Sequence, residues 1–332
     1  MQRFALIGAG FIGTVHAANL AAHPDVDFRF VFDVDAARSE ALASRHGAAA
    51  ARDLDEAFDP ALVEAVFIAS STDTHSGNLR RAADAGIAAL VEKPIDLDYA
   101  RAAELVAHVE RSGIPAMVDF NRRFDRDHAE LRRIVASGEL GDVSIIQMSS
   151  RGPVLPPLDY LKVSGGQMRD HTVHFFDLAR WLTGLDPVEV SVLGSALADP
   201  RVAEIGDVDT SVATLRLPGD GLVQIDSVRA TGYGYDERIE VLGSRGLAES
   251  GRMRTGNVTT YLGDRVSSEG LHPGWFERVQ PTYASALDEF VAALETGSPI
   301  TATLADGLKA QAIAEAATRS LQSGRTEKIT YS

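Results

Sequence analysis

The sequence predicts a two-domain α/β protein, in which a parallel sheet flanked by helices precedes a domain built on an antiparallel sheet. Up to about residue 120, short apolar runs alternate with segments of helical periodicity, as in βαβ units. Beyond Val143 the apolar residues recur at every second position in successive runs, which favours antiparallel strands. The length of 332 residues is enough for two hydrophobic cores. We therefore predict a first domain over residues 1–120 and a second over residues 121–332.

The composition restricts the kinds of partner that this chain can bind. The net charge of −15 at pH 7 argues against nucleic acids and anionic membranes, because both require clustered lysine and arginine. The chain has no cysteine, which excludes disulfides, thiolate zinc sites and a cysteine nucleophile. No apolar run approaches the roughly 18 to 20 residues of a membrane-spanning helix. We therefore expect a soluble, cytoplasmic protein whose partner is a small molecule.

A glycine-rich segment lies between the first predicted strand and the first predicted helix. The apolar run Phe4–Ile7 is followed by GAGFIG and then by an alanine-rich helical stretch to about Ala22. In this context Gly8 permits a sharp turn, Gly10 lets the backbone approach a pyrophosphate, and Gly13 allows the helix to pack against the strand. The first N–H groups of the helix can then bind the phosphates of a dinucleotide. The predicted dinucleotide contacts in this segment are Gly8, Gly10, Phe11, Ile12 and Gly13.

An acidic residue at the end of the second apolar run supports dinucleotide binding. The run Phe28–Phe32 ends at Asp33, twenty residues after Gly13. A carboxylate here can bind the hydroxyls of the adenosine ribose and repels a 2′-phosphate, which favours NAD over NADP. The alternative is a glycine-rich turn that serves packing alone.

The third apolar run, Ala65–Ala69, is typical of a buried parallel strand. The segment after it, SSTDTHSGN, is predicted to be a polar loop at the carboxyl end of that strand, where open α/β sheets bind ligands. We therefore expect Ser70, Thr72 and His75 to lie near the dinucleotide. For His75, a packing role at the start of a helix is an equal alternative.

The triplet Glu92–Lys93–Pro94 follows a fourth apolar run, Ala88–Val91. Its position at the carboxyl end of a strand places Glu92 and Lys93 among the predicted dinucleotide contacts. Pro94 restricts Lys93 to an extended or turn conformation, and a fixed ammonium there can stabilise negative charge that develops on a substrate oxygen. Taken alone, a solvated surface lysine is the commoner interpretation.

The segment Ser164–Leu182 is predicted to form one helix that carries an acid–base pair. Two glycines precede apolar positions at helical spacing. On a continuous helix Asp170 and His174 share one face, so the carboxylate can steady an imidazole that accepts a proton near neutral pH. A buried structural pair is the alternative. Asp170, His171, His174 and Asp177 could also be metal ligands, but no open coordination position or supporting groups are identifiable, so we predict no metal site.

Five motifs together resemble the Gfo/Idh/MocA oxidoreductases over essentially the whole chain. These motifs are GAGFIG, STDTH, EKP, GGQMRDHTVHFFD and YGYD. Within that family the chain is most similar to the inositol 2-dehydrogenases, which also have counterparts of NRRFD and RATGYGYDERIEVLGS. The resemblance implies a Rossmann domain followed by an α/β domain with a large, open, mostly antiparallel sheet.

The resemblance also implies a catalytic trio of Lys93, Asp170 and His174. In such enzymes the histidine accepts the hydroxyl proton while a hydride passes to the nicotinamide of NAD, the lysine stabilises the oxygen, and the aspartate orients the other two. The implied reaction is the NAD-dependent oxidation of a ring secondary alcohol of a cyclic polyol, an inositol, to a ketone. The alternatives are a dehydrogenase of a pyranose sugar, an anhydrosugar or an aminocyclitol, and a non-catalytic sensor that binds NAD and a sugar.

Three positions depart from the pattern of that family. Asp119 stands where a glycine is common, His171 where an apolar residue is common, and Phe175 where an acidic residue is common. These changes spare the trio and alter its surroundings, so they bear on which polyol is bound.

The second domain is expected to bind the substrate and to hold subunits together. Asn121 and Arg122 follow the apolar run Ala116–Phe120 and are predicted polyol ligands, and the resemblance adds Tyr235. Five alternating runs are predicted strands: Val143–Ser149, Val188–Leu193, Thr210–Leu217, Leu222–Val228 and Arg238–Leu242. The second face of their sheet needs a cover, so we expect a homo-oligomer, a tetramer or a dimer, through this open sheet.

Overall fold

The computed structural model describes residues 1–331 and divides the chain into two compact units. The first unit consists of Met1–Phe124 and Thr282–Leu308, and the second consists of Asp125–Pro281 and the residues from Lys309 onwards. Each unit has its own sheet and its own buried apolar core. The first unit therefore includes a segment from late in the chain.

The first unit is built on a parallel sheet, as predicted, and this sheet has six strands. Its strands are β1 (Gln2–Ile7), β2 (Val26–Phe32), β3 (Ala49–Ala50), β4 (Ala65–Ile68), β5 (Ala88–Val91) and β6 (Ala116–Val118). Their spatial order is β3-β2-β1-β4-β5-β6, and every neighbouring pair is parallel. This is the doubly wound order of a Rossmann domain, in which the direction of winding reverses between β1 and β4. Every residue of β4 and β5 is buried, which explains their continuous apolar sequences.

Five helices connect these strands. They are α1 (Phe11–Ala22), α2 (Ala36–His46), α3 (Leu54–Ala57), α4 (Thr72–Ala85) and α5 (Tyr99–Ser112). Aspartates cap the amino-terminal ends of α2 and α5. Asp35 accepts hydrogen bonds from the N–H groups of Ala37 and Arg38, and Asp98 accepts one from the N–H of Arg101. The bounds of α1 agree with its predicted range, whereas α5 was not predicted.

The predicted polar loop after β4 is wrong for most of its length, because SSTDTHSGN mainly forms the start of α4. Ser71 stands at the cap of this helix, and Asp73 lies in its first turn, where a negative charge is favourable. The apolar stripe of the helix begins only at Leu79, which is fully buried. Two polar turns therefore precede the stripe, and composition alone does not distinguish them from a loop.

The second unit contains a seven-stranded sheet and a separate hairpin. The strands are β7 (Val143–Arg151), β8 (Glu189–Ser195), β9 (Thr210–Arg216), β10 (Leu222–Val228), β11 (Asp236–Gly243), β12 (Gly246–Ser250), the hairpin pair β13 (Thr259–Leu262) and β14 (Arg265–Ser268), and β15 (Glu327–Lys328). The sheet order is β12-β11-β7-β10-β9-β8-β15. Strands β10 and β7 run parallel and the other pairs are antiparallel, which confirms the predicted mostly antiparallel sheet. The five predicted strands correspond to β7 to β11, with shifts of one or two residues at most ends.

Seven further helices complete the chain. They are α6 (Arg126–Ser137), α7 (Leu158–Leu161), α8 (Gln167–Asp170), α9 (Val173–Thr183), α10 (Arg201–Glu204), α11 (Trp275–Thr296) and α12 (Leu304–Ser323). The carboxyl-terminal part of α11 contributes Leu287, Phe290 and Val291 to the core of the first unit. Across residues 1–331, every helix is too short or too polar to cross a bilayer.

The predicted single helix over Ser164–Leu182 is wrong, because the segment forms two helices. Asp170 is the last residue of α8 and Val173 is the first residue of α9. The N–H of Thr172 bonds to the carbonyl oxygen of Gln167, a wider span than the regular helical step, and this bond closes α8. The two predicted acid–base residues therefore lie on different helices, and helical periodicity does not place them on one face.

Candidate active site

Five neighbouring strands of the first unit end at one edge of its sheet, and residues of chemical interest follow each of them. Gly8 follows β1, Asp33 follows β2, Ser70 follows β4, Lys93 follows β5 and Asp119 follows β6. Because the strands are parallel, their carboxyl ends lie at the same edge, which includes the point where the winding reverses. Open α/β sheets bind their ligands at this point.

The glycine turn after β1 has the geometry that the sequence predicts. Gly8 has a φ of +105°, and a Cβ there would lie 2.6 Å from the carbonyl oxygen of Ala69. A Cβ on Gly13 would overlap the carbonyl oxygen of Gly8, so both positions require glycine. A Cβ on Gly10 would meet nothing within 4 Å, so this residue borders open space at the start of α1. The turn therefore packs tightly against the sheet and leaves room for a pyrophosphate at Gly10.

Asp33 is tied to the same turn. Its Oδ2 accepts a hydrogen bond from the N–H of Ala9 at 2.6 Å, and its Oδ1 accepts one from the N–H of Asp35 at 2.9 Å. Each carboxylate oxygen has a second lone pair that can accept from a ribose hydroxyl. The glycine turn and Asp33 thus fit a dinucleotide whose adenosine ribose carries no 2′-phosphate.

His75 holds the backbone together after β4. It is 2% exposed, and its two ring nitrogens lie 2.8 Å from the carbonyl oxygen of Pro94 and 3.0 Å from that of Ser70. The hydroxyl of Ser70 lies 2.6 Å from that of Thr74, and Thr72 is half-buried as the first residue of α4. These contacts support the packing role for His75, and its contact with the coenzyme stays a prediction.

Glu92 points into a buried cluster with His16 and Asp119. The Nε2 of His16 lies 2.9 Å from Oε1 of Glu92 and 3.6 Å from Oδ2 of Asp119. Burial opposes ionisation of Glu92, but the hydrogen bond from His16 and the charge of Lys93 hold its pKa below the ordinary value. Burial, together with the charge of Glu92, raises the pKa of Asp119 well above its ordinary value. Lys93 itself is half-buried and follows this cluster directly in the chain.

Asn121 and Arg122 begin a 3-10 turn, Asn121–Phe124, after β6. Asn121 is fully buried: its Nδ2 donates to the hydroxyl of Thr282 at 2.8 Å, and its Oδ1 accepts from Nη1 of Arg122 at 3.0 Å. Both polar atoms of Asn121 are thus bonded within the first unit. The predicted contacts of Asn121 and Arg122 with a polyol stay predictions.

In the second unit, Asp170 is held by two donors. The hydroxyl of Tyr160 donates to Oδ1 at 2.7 Å, and Nη1 of Arg229 donates to Oδ2 at 3.0 Å. The side chain of Arg229 is 4% exposed and that of Asp170 is 12% exposed. Arg229 directly follows β10, and Tyr160 lies on the short helix α7. A buried guanidinium and a hydroxyl therefore fix the orientation of this carboxylate.

His174 lies in the first turn of α9 and is 8% exposed. The residue after it, Phe175, is 1% exposed and belongs to the core, so it affects a ligand only through packing. His171, between the two helices, places Nε2 2.7 Å from the hydroxyl of Ser150 on β7. Of the departures from the family pattern in this unit, Phe175 thus lies in the core, and the half-buried His171 contacts the sheet.

The two tyrosines of GYGYD differ in exposure. Tyr235 is 4% exposed, and its hydroxyl donates to Oε2 of Glu237 at 2.7 Å. Tyr233 is 47% exposed, and its hydroxyl donates to Oδ2 of Asp236 at 2.8 Å. Tyr235, the predicted substrate contact, thus bonds inside the unit, while Tyr233 reaches the surface.

Two family models match the chain, one in each half. An oxidoreductase family described as having an NAD-binding Rossmann fold matches residues 2–120, and a GFO/IDH/MocA C-terminal domain matches residues 128–249. An inositol 2-dehydrogenase of Rhizobium meliloti is 38% identical over 98% of this chain and 99% of its own length. The chain belongs to the Gfo/Idh/MocA oxidoreductase family.

Other members of the Gfo/Idh/MocA family are similar over the same extent. A myo-inositol 2-dehydrogenase of Thermotoga maritima is 36% identical over 99% of this chain and 98% of its own length. The crystal structure of a myo-inositol dehydrogenase from Corynebacterium glutamicum is 34% identical, covers 100% of both chains and has a TM-score of 0.94. These similarities confirm the family and the fold class predicted from the motifs.

As a Gfo/Idh/MocA oxidoreductase, the protein is an NAD-dependent dehydrogenase. The contacts of the glycine turn and of Asp33 with NAD stay predictions. Arg229 is not predictable from helical or strand periodicity, although a charged residue directly after a predicted strand is a signal for it. His16 is not predicted either, because it lies inside an alanine-rich helix whose sequence indicates only packing against the sheet.

Proposed function

We propose that the protein oxidises a ring secondary alcohol of a cyclic polyol, an inositol, to a ketone. The observation that carries this proposal is the full-length similarity to relatives named inositol 2-dehydrogenase and myo-inositol 2-dehydrogenase. Lys93, Asp170 and His174 stand at the positions that the family resemblance implies for catalysis. The match over nearly all of both chains favours this activity over a regulatory one that keeps the fold alone.

Each member of the trio has a distinct role in the proposal. His174 accepts the proton of the reacting hydroxyl, since an imidazole is the side chain best suited to take up a proton near neutral pH. The ammonium of Lys93 stabilises the negative charge that develops on the oxygen. Asp170, oriented by Tyr160 and Arg229, positions the histidine and balances its charge. Bound NAD supplies the carbon that accepts the hydride.

We assign the remaining binding roles to the two predicted domains. Residues 1–120 bind NAD, through Gly8, Gly10, Phe11, Ile12, Gly13, Asp33, Ser70, Thr72, His75, Glu92 and Lys93. Residues 121–332 bind the substrate, through Asn121, Arg122, Asp170, His174 and Tyr235.

We also propose a homo-oligomer that forms through the open face of the seven-stranded sheet. On that face Leu222, Ile145, Leu242 and Leu247 are neighbours across β10, β7, β11 and β12. Leu247 is 50% exposed, and Leu222 and Leu242 are each more than one-third exposed. A row of apolar side chains across four strands is unusual on a solvated face and supports a contact with a second copy.

The activity is tested by following NADH formation with NAD and a panel of substrates, repeated with NADP. The panel consists of myo-, scyllo- and chiro-inositol, glucose and levoglucosan. We expect turnover of an inositol with NAD. Reaction with a pyranose alone would favour the sugar dehydrogenase, and tight NAD binding without any turnover would favour the sensor.

The mechanism is tested with His174→Ala and Lys93→Ala. Each should reduce kcat by at least about a hundredfold, because general-base and charge-stabilising contributions are of that order. His108→Ala is the control, since His108 pairs with Asp84 at the surface of the first unit. Losses below about threefold in both variants would contradict the assigned roles.

A further inference from the structure

The first unit holds three titratable side chains in a closed cluster. One ring nitrogen of His16 and one carboxylate oxygen each of Glu92 and Asp119 lie within 4.8 Å of one another, and all three residues are buried. They come from α1, from the end of β5 and from the end of β6. Among the residues that the structure describes, neither carboxylate oxygen of Asp119 has a hydrogen-bond partner. A buried carboxylate without donors is costly, so the charge state of Asp119 requires an explanation.

Two carboxyl groups at this spacing in a buried site do not both ionise readily. Glu92 is the more stable anion, because it accepts the hydrogen bond from Nε2 of His16 and directly precedes Lys93. The charges of Arg122 and Lys93 favour the ionised form of Asp119. Its carboxylate lacks a hydrogen-bond donor, however, and the negative charge of Glu92 opposes its ionisation. One proton for the pair is therefore the most favourable arrangement, and Asp119 is the residue that carries it.

Other titratable groups around the cluster leave this assignment unchanged. The ring of Tyr283 on α11 packs edge-on against His16 with 5.3 Å between centroids. Burial and the charge of Glu92 raise the pKa of Tyr283 well above its ordinary value, so it contributes no negative charge. His75 on α4 acts on Glu92 as well, and a positive charge there would favour Glu92 as the anion.

The same three side chains could in principle coordinate a divalent cation, but their surroundings make the binding of a cation unfavourable. Lys93 and Arg122 already bring positive charge to the two carboxyl groups. The ring of His16 is also packed against Phe67, with centroids 3.7 Å apart. A single proton neutralises one carboxylate of this closed site. A divalent cation would instead add two positive charges to those of the nearby basic side chains.

We propose that His16, Glu92 and Asp119 form a buried proton-holding site, in which Asp119 remains a carboxylic acid and Glu92 carries the negative charge next to Lys93. The site then presents one negative charge to that ammonium instead of two. Asp119 acts through Glu92, so it is a positioning residue. Its effect on Lys93 rests on the proposed function, whereas its protonation does not.

Protonation is tested by measuring the free energy of unfolding of the wild type and of Asp119→Asn against pH. A raised pKa in the folded state means that the protonated acid favours folding, and this contribution is lost as the pH rises from the unfolded value of about 3.9 towards the folded one. Within that window the unfolding constant of the wild type should rise about tenfold per pH unit relative to Asp119→Asn, which cannot ionise. Asp25→Asn, an exposed change in the same unit, should follow the wild type.

Parallel pH curves for the wild type and Asp119→Asn would overturn the proposal. So would one equivalent of tightly bound divalent metal per chain that Asp119→Asn loses, measured by elemental analysis. An infrared band of a protonated carboxyl group at neutral pH that Asp119→Asn lacks would support it independently of any activity.

The positioning role is tested by the pH profile of kcat. Ionisation of Asp119, as the pH rises through its raised pKa, adds a second negative charge beside Lys93, so the limb of the profile in that pH range should move in Asp119→Asn and stay in place in Asp25→Asn. An unmoved limb, with the stability result intact, would remove the link to Lys93 and leave the proton-holding site. If no substrate is turned over, the stability and infrared measurements still decide whether Asp119 is protonated.

Discussion

At the scale of single residues, the contacts of Asp170 define what this carboxylate can do. Arg229 donates to one oxygen and Tyr160 to the other, so the plane of the carboxylate is fixed from both sides. Within residues 1–331, Nε and Nη2 of Arg229 have no hydrogen-bond partner, so Asp170 is the main compensation for this buried guanidinium. Removing one member of a buried ion pair costs about 3–5 kcal/mol of stability, because the other charge stays buried.

Arg229→Gln should therefore lower kcat by about tenfold to a hundredfold, since Asp170 loses the charge that orients it. Arg229→Lys should recover part of the loss, because it keeps the charge but not the planar geometry. The matched control is Arg169→Gln on α8, the short helix that also carries Asp170; the guanidinium of Arg169 pairs with Glu315 at 2.6 Å. The control should lower thermal stability without lowering kcat. An equal loss of kcat in both glutamine variants would mean that Arg229 only stabilises the fold.

Coenzyme choice also belongs to a single residue. Asp33→Ala should raise the ratio of kcat/KM with NADP to that with NAD by at least about tenfold, because the carboxylate no longer repels a 2′-phosphate. Asp27→Ala, on the strand β2 that precedes Asp33 and paired with Arg29, is the control. An unchanged ratio in Asp33→Ala would show that another group contacts the ribose.

At the scale of elements, the turn between β1 and α1 combines close packing with open space. Gly8 and Gly13 approach other backbone atoms so closely that a side chain does not fit, whereas Gly10 faces none. The three glycines of one motif therefore have separable physical roles. Packing of helix against strand depends on two of them, and ligand access depends on the third.

This separation predicts different results for two similar variants. Gly13→Ala should lower the free energy of unfolding by about 1–3 kcal/mol, because the new Cβ overlaps a carbonyl oxygen. Gly10→Ala should leave stability nearly unchanged and weaken NAD binding, because its Cβ enters the space next to the turn. Thermal melting and NADH fluorescence titration measure the two effects. Similar losses of stability in both variants would contradict the assignment.

Element prediction failed where tertiary contacts decide helix ends. The helices α8 and α9 form a continuous apolar pattern in sequence, but Thr172 between them bonds to Ser227 at 3.0 Å as well as to Gln167. This side-chain contact with β10 helps to define the break, and the periodicity of the segment contains no trace of it. The polar first turns of α4 are predicted as a loop for the converse reason, because only the partners of a helix reveal which of its faces is exposed.

At the scale of the whole molecule, the two sheets differ in how many of their faces are buried. Strands β4 and β5 of the first sheet are buried on both faces, and their sequences are continuously apolar. Strands of the second sheet alternate; β9, for example, has buried and exposed residues in turn. The exposed face of this second sheet carries the apolar row proposed as a contact between copies.

Leu242→Lys should therefore weaken the assembly, because it places a charge in the middle of that row. Light scattering coupled to gel filtration measures the mass against the 35.5 kDa of one chain. Ala41→Lys, on the exposed side of α2 in the first unit, is the control and should leave the mass unchanged. A wild type that elutes with the mass of one chain, or an unchanged mass in Leu242→Lys, would contradict the proposed interface.

The sequence by itself determined the two kinds of sheet, the glycine turn, the acidic residue at the end of the second strand and, through its motifs, the family. All of these depend on residues close together in the chain, whose spacing and turn chemistry are visible locally. Only the tertiary structure showed that His16 meets Glu92 across 76 positions and that Arg229 meets Asp170 across 59. Such pairs depend on strand order and register, which no local period specifies, and the charge state of Asp119 follows from neighbours brought together in that way.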